Sequence, residues 1–303
     1  MPFKLATMQT SSGARAAVIV GDIIYDLANV TGRQDHISIL QILERWDINQ
    51  PMLLALSAVL DPAQGQPLAD VTLLPPVMYP PAVYCAGSNY ADHVANMERK
   101  LGIPPGPDPR ANGARPFHFL KASRCCVGTG AKVRAPSPML DWEGELVAVI
   151  GTEARRVTVD NALSYVAGYM VGNDLSARDI GFRHQLPATS IFHHSFMDHK
   201  GFADSAPTGP WIVPATEVPN PHQLLIRTEV NGVVKQNGST SGMIFSLEEQ
   251  IAYLSSIAPL FPGDIIMTGT PAGTGAENGE FLKPGDCVAI TIEGLGTLTT
   301  QIV

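Results

Sequence analysis

Asp141-Trp142-Glu143-Gly144-Glu145-Leu146-Val147-Ala148-Val149-Ile150-Gly151 opens with three acids in five residues and closes in an unbroken apolar run. The run reads as a buried strand ended by Gly151. In a strand alternate side chains share a face, so Glu143 and Glu145 point the same way, with Cα atoms roughly 6.5–7 Å apart. An arbitrary Glu-x-Glu is usually a solvated edge. Here the strand that follows is apolar enough to be buried, and Gly144 lets another group approach the backbone between the two acids.

Working outward, Tyr169-Met170-Val171-Gly172-Asn173-Asp174-Leu175-Ser176-Ala177-Arg178-Asp179 is a second apolar run that ends in an acid and then turns. Asp174 by itself would pass for a helix cap or turn former. Taken with Glu143 and Glu145 it completes an all-oxygen set for a hard divalent cation. Three such ligands leave about three of six octahedral positions for water and substrate, as in Mg²⁺ or Mn²⁺ catalysis; Ca²⁺ would also accept them. His184, His193, His194 and His199 cluster in sequence, but no H-E-x-x-H pattern or paired cysteines accompany them. They read as loop or site-rim residues rather than a zinc site.

The rest of the chain alternates short β-rich runs with turns, in keeping with its 28 glycines and 25 prolines. Ala16–Val20 and Ile23–Tyr25 read as strands around a Gly21-Asp22 turn. Ser38–Leu60 carries apolar residues at helical spacing, broken at Pro51, as one helix or two short ones. Pro75-Pro76 and Pro80-Pro81 mark a stiff connection, which places a small N-terminal α+β domain at 1–75 and the main domain at 76–303. Leu224–Val230 is a strand closed by an Asn231-Gly232 hairpin turn. Ser246–Ala258 is a helix with a Ser246/Glu249 capping box. Pro262–Asp264 and Pro284–Asp286 are turns that introduce the strands Ile265–Thr268 and Cys287–Ile292. The expected class is α+β, predominantly β.

With 303 residues, 45% of them hydrophobic, the chain can bury a full core. Its net charge of −8 and lack of a Lys/Arg cluster argue against nucleic acid or an anionic membrane as partner. No run approaches the ~18 apolar residues of a membrane span. Residues 1–15 lack the form of a secretory signal. Cys85, Cys125, Cys126 and Cys287 form no C-x-x-C pair and read as reduced thiols of a cytoplasmic protein.

Six segments in order then resemble the fumarylacetoacetate hydrolase family. They are Gly87-Ser88-Asn89-Tyr90-Ala91-Asp92-His93, Pro116–Lys121, Asp141–Glu145, Gly168–Asp179, Lys200–Asp204 with Pro207–Pro210, and Gly263–Pro271. The resemblance implies a mixed β-sandwich or roll for the catalytic domain, a homodimer, a small-molecule substrate, and Mg²⁺ or Mn²⁺ on Glu143, Glu145 and Asp174. It implies that Lys121, Lys200 and Thr270 line the substrate pocket, with Tyr90 beside them. Lys200 would meet a developing oxyanion and the Thr270 hydroxyl would orient a carboxylate. Arg178 is a further substrate candidate, although an ion pair with a nearby acid is the plainer reading.

His93 is the natural general base. Hydrolases of the family usually place Glu three residues after this His; here that position is Asn96, which can hold the imidazole but brings no charge. Glu98 is the other candidate, although on a regular helix it lies roughly 140° around from His93. The Pro- and Gly-rich stretch 102–116 reads as a lid over the substrate. Gly181 stands where many acylpyruvate-type members carry Gln. The resulting expectation is hydrolysis of a C–C bond in a small β-dicarbonyl or acylpyruvate-type carboxylate, by way of an enolate at the metal. The alternatives are isomerisation, decarboxylation or dehydration of a 2-oxo acid, and a non-catalytic metabolite-binding protein.

Overall fold

The computed structural model describes residues 2–303. The run that opened the sequence reading becomes the strand Gly144–Ile150, buried along its whole length. It lies inside a sheet whose order is Gln66–Pro67, Ile23–Asp26, Gly13–Val20, Lys4–Thr10, Ala206–Pro214, Val166–Asn173, Gly144–Ile150, Ile265–Met267, Val83–Ala86, His118–Lys121. Neighbours run antiparallel except Ile265–Met267 beside Val83–Ala86. A second sheet of five strands is ordered Val233–Ser239, Leu225–Val230, Cys287–Ile292, Gly296–Ile302, Ala131–Val133. The architecture is α+β and predominantly β.

The two-residue period of the central strand divides the interior in two. Leu146, Ala148 and Ile150 face the second sheet, where they pack with Ile226, Val288, Ile290 and Leu298. Val147 and Val149 face the other way, into a core shared with Leu5, Val18, Trp46 and Leu53 of the N-terminal part. Glu143 and Glu145 continue this second face beyond the last apolar pair. That explains how two acids come to be buried at the end of a strand rather than solvated at an edge.

Local signals in the sequence hold at most elements. The Ser246/Glu249 capping box closes on the helix Leu247–Ile257. Asn231 and Gly232 take φ of 52° and 78°, the left-handed pair a tight hairpin turn requires. All four cysteines are free thiols. One break is misplaced by the sequence reading: the helix interruption falls between Leu43 and Trp46, and Pro51 sits inside the helix Trp46–Ser57. Pro51 lies in the second turn and brings no N–H to the helix ladder, and Asn49 Nδ2 donates to Ile42 O at 2.9 Å, tying the two helices at their junction. Among the described residues no helix is long and apolar enough to cross a membrane.

Candidate active site

Strand register assembles the acidic cluster. Gly144 pairs with Asn173 and Glu145 with Gly172, so the end of one strand meets the end of its antiparallel neighbour. The Asp174 N–H donates to Glu143 O at 2.9 Å, and Asn173 Oδ1 accepts from Glu143 N–H at 3.1 Å. On the other flank Val147 pairs with Met267, which brings Gly269 and Thr270 alongside. There the Gly269 N–H donates to Glu145 Oε2 at 2.8 Å, and the Thr270 hydroxyl donates to Gly144 O at 2.9 Å.

Glu143, Glu145 and Asp174 are buried, and one carboxylate oxygen from each lies within 4.8 Å of the others. Their electrostatics differ. Burial opposes ionisation of Glu143, but Lys200 and Arg178 outweigh it and hold that carboxyl well below the usual range. Burial and the like charges of Asp174 and Glu143 push Glu145 well up, and its Oε1 is buried without a hydrogen-bond partner. A carboxylate pressed against two others, with an unsatisfied buried oxygen, is what a hard cation relieves. The set fits a divalent metal.

The cations lie close behind. Lys200 Nζ reaches Glu143 Oε2 at 2.8 Å and Asp174 Oδ2 at 2.7 Å. Lys121 Nζ meets Asp174 Oδ1 at 2.6 Å and donates to Leu175 O and Ser205 O, so it supports the cluster from behind the pocket wall. Arg178 makes the ion pair: its Nε donates to Asp141 Oδ2 at 3.0 Å and its Nη2 contacts Glu143. Thr270 lines the pocket, but its hydrogen is committed to Gly144 O and its oxygen accepts from Gln236 Nε2 at 2.8 Å. Tyr90 is fully buried in the core between the sheets.

Opposite the acids stands His93, on the helix Ala91–Leu101. Its partner is a residue the sequence reading missed. His93 Nδ1 lies 2.5 Å from Glu277 Oε1, and Asn96 Nδ2 donates to Glu277 Oε2 at 2.7 Å. Burial works against the Glu277 charge, yet hydrogen bonds from His93, Asn96 and the Gly273 N–H hold its carboxyl down at about 2. Asn96 thus orients the acid rather than the imidazole. Glu98 does not reach His93; the helix continues unbroken, and Glu98 Oε1 faces the Gly106 N–H at 3.5 Å.

Glu277 sits on the four-residue helix Gly275–Asn278, whose Thr274/Glu277 capping box was the one local signal in the sequence that could have drawn attention to it. Asp141 anchors that helix by accepting from Gly275 N–H at 2.6 Å and Ala276 N–H at 2.9 Å. Asp141 therefore joins the two halves of the site, through Arg178 on one side and the Glu277 helix on the other.

Between the halves is a cavity of about 240 Å³ lined by His93, Glu143, Arg178, His199, Lys200 and Thr270, with Phe117, Phe119, Phe182 and Phe196 around its mouth. A larger one of about 760 Å³ adjoins it across Gly87, Ser88 and Phe117, beneath the 105–115 loop. That loop is clamped by Arg110, which pairs with Glu249 at 2.6 Å and lies 5.0 Å over the Phe245 ring. Of the histidine cluster, His194 and His199 line the smaller cavity, and the one metal-type grouping of ligands among the described residues is the acidic trio.

A two-sheet β fold holding three buried carboxylates that fit a divalent cation, faced by a histidine–carboxylate pair, is the arrangement of a metal-dependent enzyme. The family model for the fumarylacetoacetate (FAA) hydrolase C-terminal domain matches residues 82–303, and the chain belongs to that family. It is 36% identical over 241 residues to the human mitochondrial oxaloacetate tautomerase FAHD2A, covering 78% of this chain and 71% of that protein. Among solved structures it is similar to the fumarylacetoacetate hydrolase of Exiguobacterium antarcticum, with TM-score 0.79, 31% identity and 99% of both chains covered. It is also similar to a Sphingobium maleylpyruvate hydrolase solved with manganese(II) and pyruvate, with TM-score 0.74, 25% identity and 99% and 98% covered.

Proposed function

We propose that the protein hydrolyses a C–C bond in a small acylpyruvate-type 2-oxo carboxylate. The observation that carries this reading is the His93–Glu277 contact facing the acidic trio. Asn96 stands where the family's usual acid would be and brings no charge; Glu277 gives the imidazole a charged partner from elsewhere in the chain. With Nδ1–H donated to Glu277, Nε2 is left as the basic nitrogen. Glu143, Glu145 and Asp174 would hold Mg²⁺ or Mn²⁺, which when bound supplies Lewis-acid polarisation of the substrate carbonyl.

His93 takes a proton from water as the water oxygen bonds to the distal acyl carbon. The C–C bond to the 2-oxo fragment then breaks, and its electron pair passes into that fragment as an enolate. The imidazolium returns the proton to carbon, which yields a carboxylic acid and a 2-oxo acid. Lys200, which lines the cavity, would offset the enolate charge, and Phe117 and Phe119 give that side of the pocket an apolar wall. The adjoining 760 Å³ cavity gives an acyl tail room.

A second reading is keto–enol exchange of a 2-oxo dicarboxylate, favoured by the similarity to the oxaloacetate tautomerase, since the same pair can shuttle a proton on carbon. Product analysis with acylpyruvates and Mn²⁺ separates the two. Hydrolysis gives two fragments with one solvent oxygen in the released acid; exchange without fragments transfers the assignment to the tautomerase reading. His93→Ala should lower kcat at least ~10²-fold, the scale of a lost general base, with Mn²⁺ affinity kept. Unchanged turnover would remove His93 from both schemes.

A further inference from the structure

His199 is a buried histidine that neither scheme uses. It lies at the end of the short helix Phe196–Lys200, is 8% exposed, and lines the smaller cavity next to Lys200. Neither ring nitrogen has a hydrogen-bond partner. Unpaired buried polar nitrogens are costly, and a native structure keeps them where something else satisfies them. Its ring neighbours are Phe182 and Phe196, with centroids at 6.3 Å and 6.4 Å, and His194 at 5.8 Å, while Glu143 acts on it as a nearby charge without a hydrogen bond to either nitrogen.

The backbone makes room for this ring. A Cβ at Gly181 would meet His199 Cβ at 2.8 Å and Cγ at 2.9 Å, so the imidazole fills the space that a side chain at position 181 would need. The aromatic rings of 182 and 196 wall it in. Burial, together with the charges of Lys200 and Arg178, lowers the pKa of His199 to about 3, so the ring is neutral and offers one N–H donor. The same wall of the cavity presents Lys200 and Arg178. A polar donor among cations, set beside a metal site, suits an anionic oxygen adjacent to the chelating part of a ligand.

The geometry points to His199 as a substrate-binding residue whose N–H donates to a carboxylate oxygen of the bound 2-oxo acid. This rests on the proposed reading of the site and adds that the substrate carries its carboxylate towards the Gly181–His199 corner. The role is in binding and orientation, so it acts on substrate affinity ahead of turnover.

Oxalate, a small chelating dicarboxylate, is the probe, titrated calorimetrically into the Mn²⁺-loaded protein. His199→Ala should weaken oxalate binding at least about tenfold, the scale of one charge-assisted hydrogen bond. Mn²⁺ affinity and the melting temperature should stay near the parent values. His199→Gln, which keeps an N–H donor, should recover most of the lost affinity, as should the exchange Gly181→Gln with His199→Gly. Equal oxalate binding by the parent and a folded His199→Ala overturns the assignment alone, and so does a variant that melts early yet binds oxalate normally. A parent protein that binds Mn²⁺ but no oxalate overturns the reading of the site, and this assignment with it.

Discussion

The two walls of the pocket are built by different means. The acidic wall stands on the ends of the adjacent strands Gly144–Ile150 and Val166–Asn173, with cations reaching in from separate segments; register sets the three carboxylates side by side, ion pairs hold Glu143 and Asp174, and the Gly269 N–H holds Glu145. The histidine wall stands on one eleven-residue helix and one four-residue helix, docked by a few side-chain bonds and by Asp141. Strand ends in a shared sheet fix the charges a cation needs. Short helices at the margin carry the histidine–carboxylate pair that the proposed reaction uses to move protons.

This contrast can be broken most forcefully in the acidic wall. Asp174→Asn should abolish Mn²⁺ binding and cost about 3–5 kcal/mol of stability, because two buried lysines lose a partner. Glu145→Gln should also abolish Mn²⁺ binding, yet leave the metal-free protein as stable as the parent or more so, since it removes a repelled buried charge. Calorimetry for the metal and chemical denaturation for stability read both; equal destabilisation by the two variants would contradict the difference drawn between these acids.

The histidine wall should respond in rate rather than in stability. Glu277→Gln should lower kcat roughly 10- to 10²-fold while Mn²⁺ affinity holds. It also carries a pH signature. The folded carboxyl at about 2 lies below its ordinary unfolded value, so ionised Glu277 stabilises the fold at pH above ~4.3, and that contribution fades as pH falls towards 2. Acid denaturation of the Gln variant should lack this limb; an unaltered acid transition would mean that the pairing is weaker than its geometry indicates.

Asp141→Asn tests the joint between the walls. It should cost about 0.5–2 kcal/mol, as for a lost helix cap, and reproduce part of the Glu277→Gln rate loss although Asp141 is not among the residues lining the cavity. A normal rate in this variant would show that the two walls stand independently. The smallest effect is expected outside both: Arg110→Ala breaks an exposed ion pair on the loop and should change stability by less than about 1 kcal/mol in denaturant titrations.

What the residues announced on their own was local in origin. The paired acids running into the apolar stretch at 143–150, the acid at 174 after an apolar run, the hairpin at Asn231-Gly232 and the capping box at Ser246 each depend on neighbours within a few positions, where period and turn chemistry leave few alternatives. The acidic trio was legible because two apolar runs each met acids at one end, in segments that resemble the family. His93 was expected as a base by residue type and family pattern, and the structure sets it at the cavity beside Glu277, while Lys121 and Thr270, expected at the substrate, have their polar groups committed to protein partners.

The partner of His93 lay beyond that reach. Glu277 is 184 residues away in sequence, and only the docking of a one-turn helix on Asp141 brings it to the imidazole. Composition and spacing thus determined a mostly β chain with a buried acidic cation site. Tertiary structure alone decided which carboxylate faces the histidine, that Asn96 serves that acid, and that the His199 ring takes the space beside Gly181. Contacts between distant segments depend on how whole elements pack, and no local pattern of residues encodes that.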